Sequence, residues 1–200
     1  PKAAGHIPRR LFHYNAGFLR GRARRILELA GHELALGLPG PQDGVVVWGK
    51  SPYAHRGEGI AARRDVPLIR VEDAFLRSIR PGRSGDSAIG LLIDPQGVHF
   101  DSASPSRIET LLATDPLDNS NILSRARDGI ARLKLLELSK YNIHDPALLC
   151  PPPGYVLVVD QTAGDASIRH GGANAQSFAQ MLAQALDDHP RARIIIKVHP

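Results

Sequence analysis

Residues 44–71, which read GVVVWGKSPYAHRGEGIAARRDVPLIRV, carry the strongest fold signal in the chain. Val45–Trp48 is a short apolar run between two glycines, a composition typical of a buried strand. The following segment, Tyr53–Arg64, has the composition of a helix, and Pro67–Val71 is again strand-like. A strand, a helix and a strand in this order predict a parallel α/β layer. We therefore expect an α/β fold with a Rossmann-type parallel sheet.

Further elements are predicted on both sides of this stretch. Upstream, apolar residues at helical spacing predict a helix over residues 22–36, ended by Gly37 and Pro39. Downstream, the predicted elements are two strands around a tight turn (Ile89–Asp94 and Val98–Phe100), a helix capped by Ser104 and Pro105 that reaches Ala113, a helix over Asn119–Leu138, a strand Tyr155–Asp160, a polar loop, a helix Ala173–Leu186 and a strand Arg193–Val198.

The proline run at residues 151–153 interrupts this rhythm, because a stiff polyproline segment suits neither helix nor sheet. We expect a basic N-terminal arm and helix over 1–40, a first Rossmann-like domain over 41–149, and a linker with the start of a second α/β domain over 150–200. The chain opens on Pro1 rather than Met and stops directly after a strand-like run. We expect it to be a piece of a longer protein, with the second domain truncated.

Basic charge is concentrated at the start of the chain. The formal net charge is +5, but residues 1–25 hold seven of the 25 lysines and arginines and no Asp or Glu, which leaves 18 basic against 20 acidic residues in 26–200. Such an arm fits nucleic acid or anionic lipid, yet it lacks the interleaved aromatic residues of a single-strand binder. A solvated basic helix end is the simpler interpretation, and we expect no nucleic-acid partner.

Several other function classes lack their sequence signals. The apolar runs are too short to cross a bilayer, and the single Cys150 excludes an internal disulfide. The sequence has no His-Glu-x-x-His or paired-cysteine spacing of a zinc site, and no P-loop or Gly-x-Ser-x-Gly element. We expect neither a metal nor a bound cofactor.

Polar residues gather at the predicted ends of three strands, where helix N-termini and loop amides of an α/β sheet converge on ligands. The three clusters are Glu72, Asp73, Arg77 and Ser78; Asp160, Gln161, Thr162, Asp165 and Ser167; and Lys197 and His199. Each has a structural alternative, since adjacent acids are often caps or salt-bridge partners, Asp160 fits an Asx-turn, and Asp165 with Ser167 fits a helix cap. Their concurrence at strand ends favours a shared cleft.

Seven short strings, taken in order, are more specific than any single motif. They are VWG (47–49), VEDAFLRS (71–78), IDPQGVHFD (93–101), SPSRIE (104–109), LSKYN (138–142), VVDQT (158–162) and KVHP (197–200). With them, the chain from residue 45 onward resembles capsular polysaccharide biosynthesis proteins of the KpsC type, which are bacterial retaining β-Kdo glycosyltransferases. The Asp-Gln-Thr form at 160–162 resembles the first of that family's two catalytic modules.

This resemblance implies a GT-B architecture, with 41–149 on the acceptor side and 150–200 on the donor side. It implies transfer of Kdo from CMP-Kdo to a β-Kdo linker on lyso-phosphatidylglycerol, the lipid end of an exported capsule. The expected partners are the CMP-Kdo donor and a lipid-linked Kdo acceptor. The expected location is cytoplasmic, with peripheral contact to the inner membrane or the export machinery. The alternative is a non-catalytic nucleotide- or sugar-binding module, since a fold does not fix a function.

The resemblance also implies roles for individual residues. The family's Gln-x-x-x-Asp element maps onto Gln161 and Asp165, so Asp165 is the expected nucleophile and Asp160 its rival. Glu72 is the expected base for the acceptor hydroxyl. Arg77 is expected to bind a substrate carboxylate or phosphate as a fork. Lys197 and His199 are expected to lie beside the leaving group. The other residues expected to bind substrate are Asp73, Asp160, Gln161, Lys140 and Asn142. Lys140, Tyr141 and Asn142 lie on a family motif that has no assigned role.

Overall fold

The computed structural model describes residues 6–198, and the chain divides into two compact units: Pro1–His99 with Ser104–Pro146, and Phe100–Ala103 with Ala147–Pro200. The first unit contains β1 (Arg10–His13), α1 (Arg22–Leu29), β2 (Glu33–Ala35), β3 (Gly44–Trp48), α2 (Ala54–Arg64), β4 (Leu68–Asp73), β5 (Leu91–Asp94), α3 (Arg107–Thr114) and α4 (Ser120–Leu135), with short 3-10 helices at Ala16–Phe18 and Gly82–Ser84. The second unit contains β6 (Tyr155–Val159), α5 (Ala166–His170), α6 (Ala175–Asp188) and β7 (Arg193–Lys197).

The strands of the first unit form one five-stranded sheet in the order β2-β1-β3-β4-β5. β1 pairs in parallel with both β2 and β3, and β3 pairs in parallel with β4. β5 lies antiparallel to β4, with Leu92 opposite Glu72 and Leu91 opposite Asp73. The direction of chain progression reverses between β1 and β3, and open α/β sheets leave a crevice at the carboxyl ends of strands at such a reversal.

The N-terminal segment belongs to this sheet, which the sequence prediction of an arm and a helix missed. β1 lies between β2 and β3. The helix predicted over 22–36 is wrong in its second half, because α1 ends at Leu29. Gly31 explains the early end, since its φ is +92° and the next N–H, of His32, donates to the Leu27 carbonyl at 3.0 Å. This is the Schellman arrangement of a helix C-terminus.

The predicted pair of strands around a tight turn is also wrong, because only β5 forms and Val98–Phe100 is not a strand. The buried carboxylate of Asp94 accepts hydrogen bonds from the backbone N–H groups of Gln96 at 2.8 Å, Gly97 at 3.0 Å and Arg107 at 2.8 Å. These bonds turn the chain away from the sheet and hold the start of α3.

The N-cap of α3 is Ser106 rather than the predicted Ser104. The Glu109 N–H donates to Ser106 Oγ, and the Ser106 N–H donates to Glu109 Oε2 at 2.8 Å. This reciprocal capping box matches the spacing of a Ser and a Glu three residues apart. Hydrogen bonds from the backbone and then the side chain of Ser106 lower the pKa of Glu109.

Apolar residues cover both faces of the five-stranded sheet. One cluster contains Leu11, Phe18, Leu27, Leu34, Val46, Ile69 and Val71. The other contains Val45, Val47, Ala54, Ala61 and Val66, where α2 packs on β3. Glycine makes this second contact close, because a Cβ on Gly57 would lie 2.5 Å from Val47 Cγ1 and 3.0 Å from Val45 Cγ1.

Gly57→Ala is therefore expected to destabilise the first unit, although alanine favours helices. Overpacking costs about 1–3 kcal/mol, whereas replacing a helical glycine by alanine gains only about 0.5–1 kcal/mol. The matched control is Gly59→Ala on the same helix, where a Cβ meets no atom within 4 Å and the gain should appear alone. Hydrogen exchange of peptides from residues 44–64 measures both effects, and equal stabilisation by the two variants would contradict close packing of α2 on β3.

The second unit contains a two-stranded parallel sheet. β6 and β7 pair from Tyr155 opposite Arg193 to Val159 opposite Lys197, which confirms both predicted strands. α5 forms inside the predicted polar loop, where Asp165 with Ser167 offered a helix cap only as a structural alternative. Along residues 6–198, no helix is both long and apolar enough to cross a membrane.

Candidate active site

Glu72 lies at the carboxyl end of β4. The sequence analysis placed it just after this strand, whereas the structure places it within the strand. The neighbouring strand β3 is followed directly by Gly49, whose N–H donates to the Val71 carbonyl at 2.9 Å. The carbonyl of Gly49 accepts from Arg70 Nη1 at 2.6 Å, and Arg70 Nη2 pairs with Glu58 Oε1 at 2.8 Å. A Cβ at residue 49 would overlap the Glu72 carboxylate. The absence of a side chain at Gly49 thus leaves room for the Glu72 carboxylate at the carboxyl ends of β3 and β4.

Gly49→Ala is expected to displace Glu72 and to lower a reaction that uses this carboxylate about a hundredfold, the effect of moving a reacting group by about 1 Å. The backbone adds strain, because φ at Gly49 is +36°. Gly31→Ala is the matched control, since its φ is also positive but a Cβ there meets no atom within 4 Å. Steady-state rates of the full-length protein decide the outcome, and equal losses in both variants would show that backbone strain alone acts.

Asp73 and Arg77 form an ion pair just beyond Glu72. Arg77 Nε donates to Asp73 Oδ2 at 2.7 Å, with side chains only 12% and 20% exposed for Arg77 and Asp73. Arg77 Nη1 also donates to Ser78 Oγ and to the Asp86 carbonyl, each at 2.9 Å. The guanidinium thereby holds the loop that joins β4 to β5. Its role as a fork for a substrate carboxylate or phosphate stays a prediction.

The segment after α4 docks on the same loop, which brings two predicted candidates to Arg77. The N–H groups of Arg77 and Ser78 donate to the Lys140 carbonyl at 3.1 and 3.3 Å. Asn142 Nδ2 donates to the Ser78 carbonyl at 3.2 Å, and its Oδ1 accepts from the Ser139 N–H at 2.9 Å. The Lys-Tyr-Asn motif therefore fastens this loop from a distant part of the chain, and the substrate-binding roles expected for Lys140 and Asn142 stay predictions.

In the second unit, the carboxyl ends of β6 and β7 bring Asp160 and Lys197 side by side. The Asp160 N–H donates to the Lys197 carbonyl at 2.9 Å, and Asp160 Oδ1 accepts from the Gln161 N–H at 2.8 Å. Gln161 Oε1 accepts from the Thr162 N–H at 2.8 Å. This edge of the second sheet thus carries a carboxylate, an amide and an ammonium group.

Asp165 is the N-cap of α5, as its structural alternative predicted. Its Oδ1 accepts from the Ser167 N–H at 2.8 Å and from Ser167 Oγ at 2.6 Å. The residue is exposed. A capping role and a nucleophilic role use the same carboxylate, so the structure leaves both open to experiment. His199 lies outside the described residues.

Sequence analysis missed Gly49 as a site residue and Ser78 as the residue to which the distant motif attaches. A glycine directly after a buried strand is a usable signal, because it permits close approach at the carboxyl edge of a sheet. The docking of residues 139–142 left no local signal. Among the described residues, no three His, Cys, Asp or Glu side chains are grouped so that they could hold a metal ion.

Comparison with known proteins identifies the family to which the chain belongs. The family model described as capsule polysaccharide biosynthesis protein matches residues 43–148 and 142–200. The capsule polysaccharide modification protein LipA of Neisseria meningitidis is 38% identical over 165 residues, which are 79% of this chain and 23% of LipA. The lipopolysaccharide-processing protein LpsZ of Rhizobium meliloti is 34% identical over 78% of this chain and 36% of its own length. The chain thus spans about a quarter to a third of these curated relatives.

Solved structures give the same result for the fold. The β-Kdo 2,4 transferase of Thermosulfurimonas dismutans KpsC superposes with a TM-score of 0.83 and 28% identity, over 98% of this chain and 62% of that one. The β-Kdo 2,7 transferase of the same KpsC gives a TM-score of 0.65 at 24% identity, over 96% of this chain and 61% of that one, and supports the fold alone. The predicted GT-B-like α/β fold class and the resemblance to the KpsC type are confirmed. This chain belongs to the capsule polysaccharide biosynthesis protein family.

Proposed function

We propose that the protein carrying this chain is a retaining β-Kdo glycosyltransferase that uses CMP-Kdo in capsule polysaccharide synthesis. The observation that carries the proposal is the likeness to the Thermosulfurimonas dismutans β-Kdo 2,4 transferase over 98% of this chain. The carboxylates at the strand ends support it, because glycosyl transfer with retention needs a nucleophile and a base. The proposed acceptor is a lipid-linked Kdo glycan, which would bring the protein to the surface of the inner membrane or to the export machinery.

The proposed chemistry consists of two displacements at the anomeric carbon of Kdo. The Asp165 carboxylate attacks the anomeric carbon. The bond between that carbon and the phosphate oxygen breaks, and CMP leaves with the bonding electrons. The acceptor hydroxyl then attacks the same carbon, the bond to Asp165 breaks, and Glu72 takes the hydroxyl proton. Two inversions give net retention. Asp160 is the alternative nucleophile.

The other candidates are proposed to bind or to position substrate. We assign Lys197 and His199 to the charge that develops on the leaving phosphate, and Gln161 and Asp73 to sugar hydroxyls. Asp73 Oδ1 accepts no hydrogen bond within the described chain, but it is buried, so a sugar hydroxyl would reach it only after the loop beyond β4 moves. Arg77, Lys140 and Asn142 would act by holding the loop beyond β4, in addition to any contact with substrate.

The test is transfer by the full-length protein from CMP-Kdo to a Kdo-terminated acceptor. We expect CMP release together with a new β-linked Kdo, identified by NMR of the product. Inverted configuration would overturn the retaining mechanism while keeping a transferase. Tight CMP binding without turnover would instead favour a non-catalytic nucleotide-binding module.

Glu72→Gln is expected to lower transfer by about 10²–10⁴-fold, the usual contribution of a general base, because the amide keeps the size of the side chain but cannot take a proton. The control is Glu33→Gln, which removes a carboxylate from a surface pair with Arg9 that is 58% exposed on the Glu33 side. Steady-state rates at saturating donor measure the effect. Wild-type rates in the Glu72 variant would remove Glu72 from the mechanism.

A further inference from the structure

A cavity of about 570 Å³ opens in the first unit beside the carboxyl ends of β1 and β2. His13, Tyr14 and Asn15 reach it from the end of β1, and Leu36 reaches it from the end of β2. The volume lies within the range of small-ligand sites. None of the residues assigned above to the transfer reaction lines it.

The wall supplied by α2 carries positive charge. Arg56, Ile60 and Arg63 line the cavity, and their spacing of four and three residues puts them on one face of the helix. The two arginines are separated by about 10 Å along the helix axis. The Arg56 guanidinium lies over the Tyr53 ring at 5.3 Å, and Arg63 Nε donates to the Gly59 carbonyl at 3.2 Å, so each side chain would turn toward a group placed between them. Both are exposed, and none of the described residues around the cavity is Asp or Glu. The cavity is therefore complementary to an anion.

His13, which also lines the cavity, has a buried acceptor atom. His13 is 1% exposed, and its Nδ1 lies 3.1 Å from the Asn15 carbonyl oxygen. A carbonyl can only accept, so Nδ1 carries the proton and Nε2 is left as an acceptor. Nε2 is buried and has no hydrogen-bond partner in the described chain. Burial, and secondarily the charge of Arg24, lower the pKa of His13, which keeps the ring neutral near pH 7.

We propose that this cavity binds the anionic group of the acceptor, a carboxylate or a phosphate, between Arg56 and Arg63. The uncharged body of the ligand would rest on the apolar wall formed by Leu19, Leu36 and Ile60. The inference rests on the proposed function for the identity of the ligand, whereas the anion site itself rests on the cavity. The shared chemistry is an oxyanion on a neutral body, supplied either by a sugar acid or by a lipid headgroup.

Titration calorimetry of the full-length protein at fixed salt tests the proposal with two probes. The methyl β-glycoside of Kdo supplies a carboxylate, and glycerol phosphate supplies a phosphate. We expect wild type to bind at least one probe, and the double variant Arg56→Gln with Arg63→Gln to bind it about ten- to a hundredfold more weakly, the loss typical of hydrogen bonds to a charged group. The probe that binds identifies the source of the anion.

The matched control is Arg25→Gln, which removes an exposed guanidinium from α1 outside the cavity and should leave the affinity unchanged. Failure of wild type to bind either probe, or equal affinity of wild type and the double variant, would overturn the anion site. Transfer assays separate this result from the proposed function. If the protein binds the probe but never transfers Kdo, the anion site is supported and the proposed function is wrong. If the double variant transfers Kdo with an unchanged KM for the acceptor, the proposed function is supported and the anion site is wrong.

Discussion

Asp165→Asn in the full-length protein is expected to abolish covalent attachment of Kdo and to lower transfer at least about a thousandfold. The structure makes this substitution informative, because Asn and Asp are about equally good N-caps. The amide oxygen can keep accepting from the N–H and Oγ of Ser167, the two bonds that Asp165 Oδ1 accepts now. The variant therefore retains the cap of α5 while it loses the nucleophile.

Intact-protein mass spectrometry with CMP-Kdo and no acceptor, followed by peptide mapping, measures the result. Wild type should gain one Kdo on the peptide that contains Asp165, and the Asn variant should gain none. An adduct on Asp160 would keep the mechanism and move its nucleophile by five residues. Normal transfer by the Asn variant would leave residue 165 with a capping role only, and Asp165→Ala would then reduce helix stability by about 1 kcal/mol without a catalytic defect.

Asp94→Ala is expected to produce the largest loss of stability. The carboxylate is 3% exposed and accepts three backbone N–H groups, from Gln96, Gly97 and Arg107. Truncation leaves these donors without their acceptor, which should cost about 3–5 kcal/mol, since a single unsatisfied buried donor costs about 1–3 kcal/mol. Asp94→Asn should cost less, because its one oxygen can still serve Gln96 and Gly97.

Hydrogen exchange of peptides from residues 91–110 measures the opening free energy of this corner in the full-length protein. Asp115→Ala is the matched control, since Asp115 Oδ1 also accepts from the N–H two residues later, that of Leu117, but at an exposed site. We expect the control to cost less than about 1 kcal/mol, because water replaces the lost acceptor. A similar loss of opening free energy in both variants would contradict the view that burial makes the Asp94 carboxylate important for stability.

The central βαβ unit was predictable because local pattern and tertiary role agree there. Val45–Trp48 is apolar throughout, as a strand buried on both faces must be. β1 was missed because it has only four residues and starts within a basic segment, where Arg10 lies over the ring of Phe12 at 5.0 Å. Gly31 carried the information that ends α1, but helical spacing on both sides of it concealed the break.

The candidate site was predictable only in part, for a related physical reason. Acidic residues at strand ends can be found from sequence, because parallel strands all present their carboxyl ends at one edge. Partners that come from elsewhere leave no such trace. The capping of α5 by Asp165, the burial of His13 Nε2 and the attachment of Asn142 each depend on the folded chain around them.

The attachment of Asn142 has a consequence for how the protein folds. Its side chain binds the Ser78 carbonyl across 64 residues of sequence, whereas the sheet beside Ser78 pairs strands that are much closer in the chain. Closing the longer loop costs more chain entropy, so we expect the sheet to form first and this fastening to follow. A polypeptide ending before Ser139 would keep all five strands of the first sheet but lose every hydrogen bond that residues 139–142 make to the loop beyond β4.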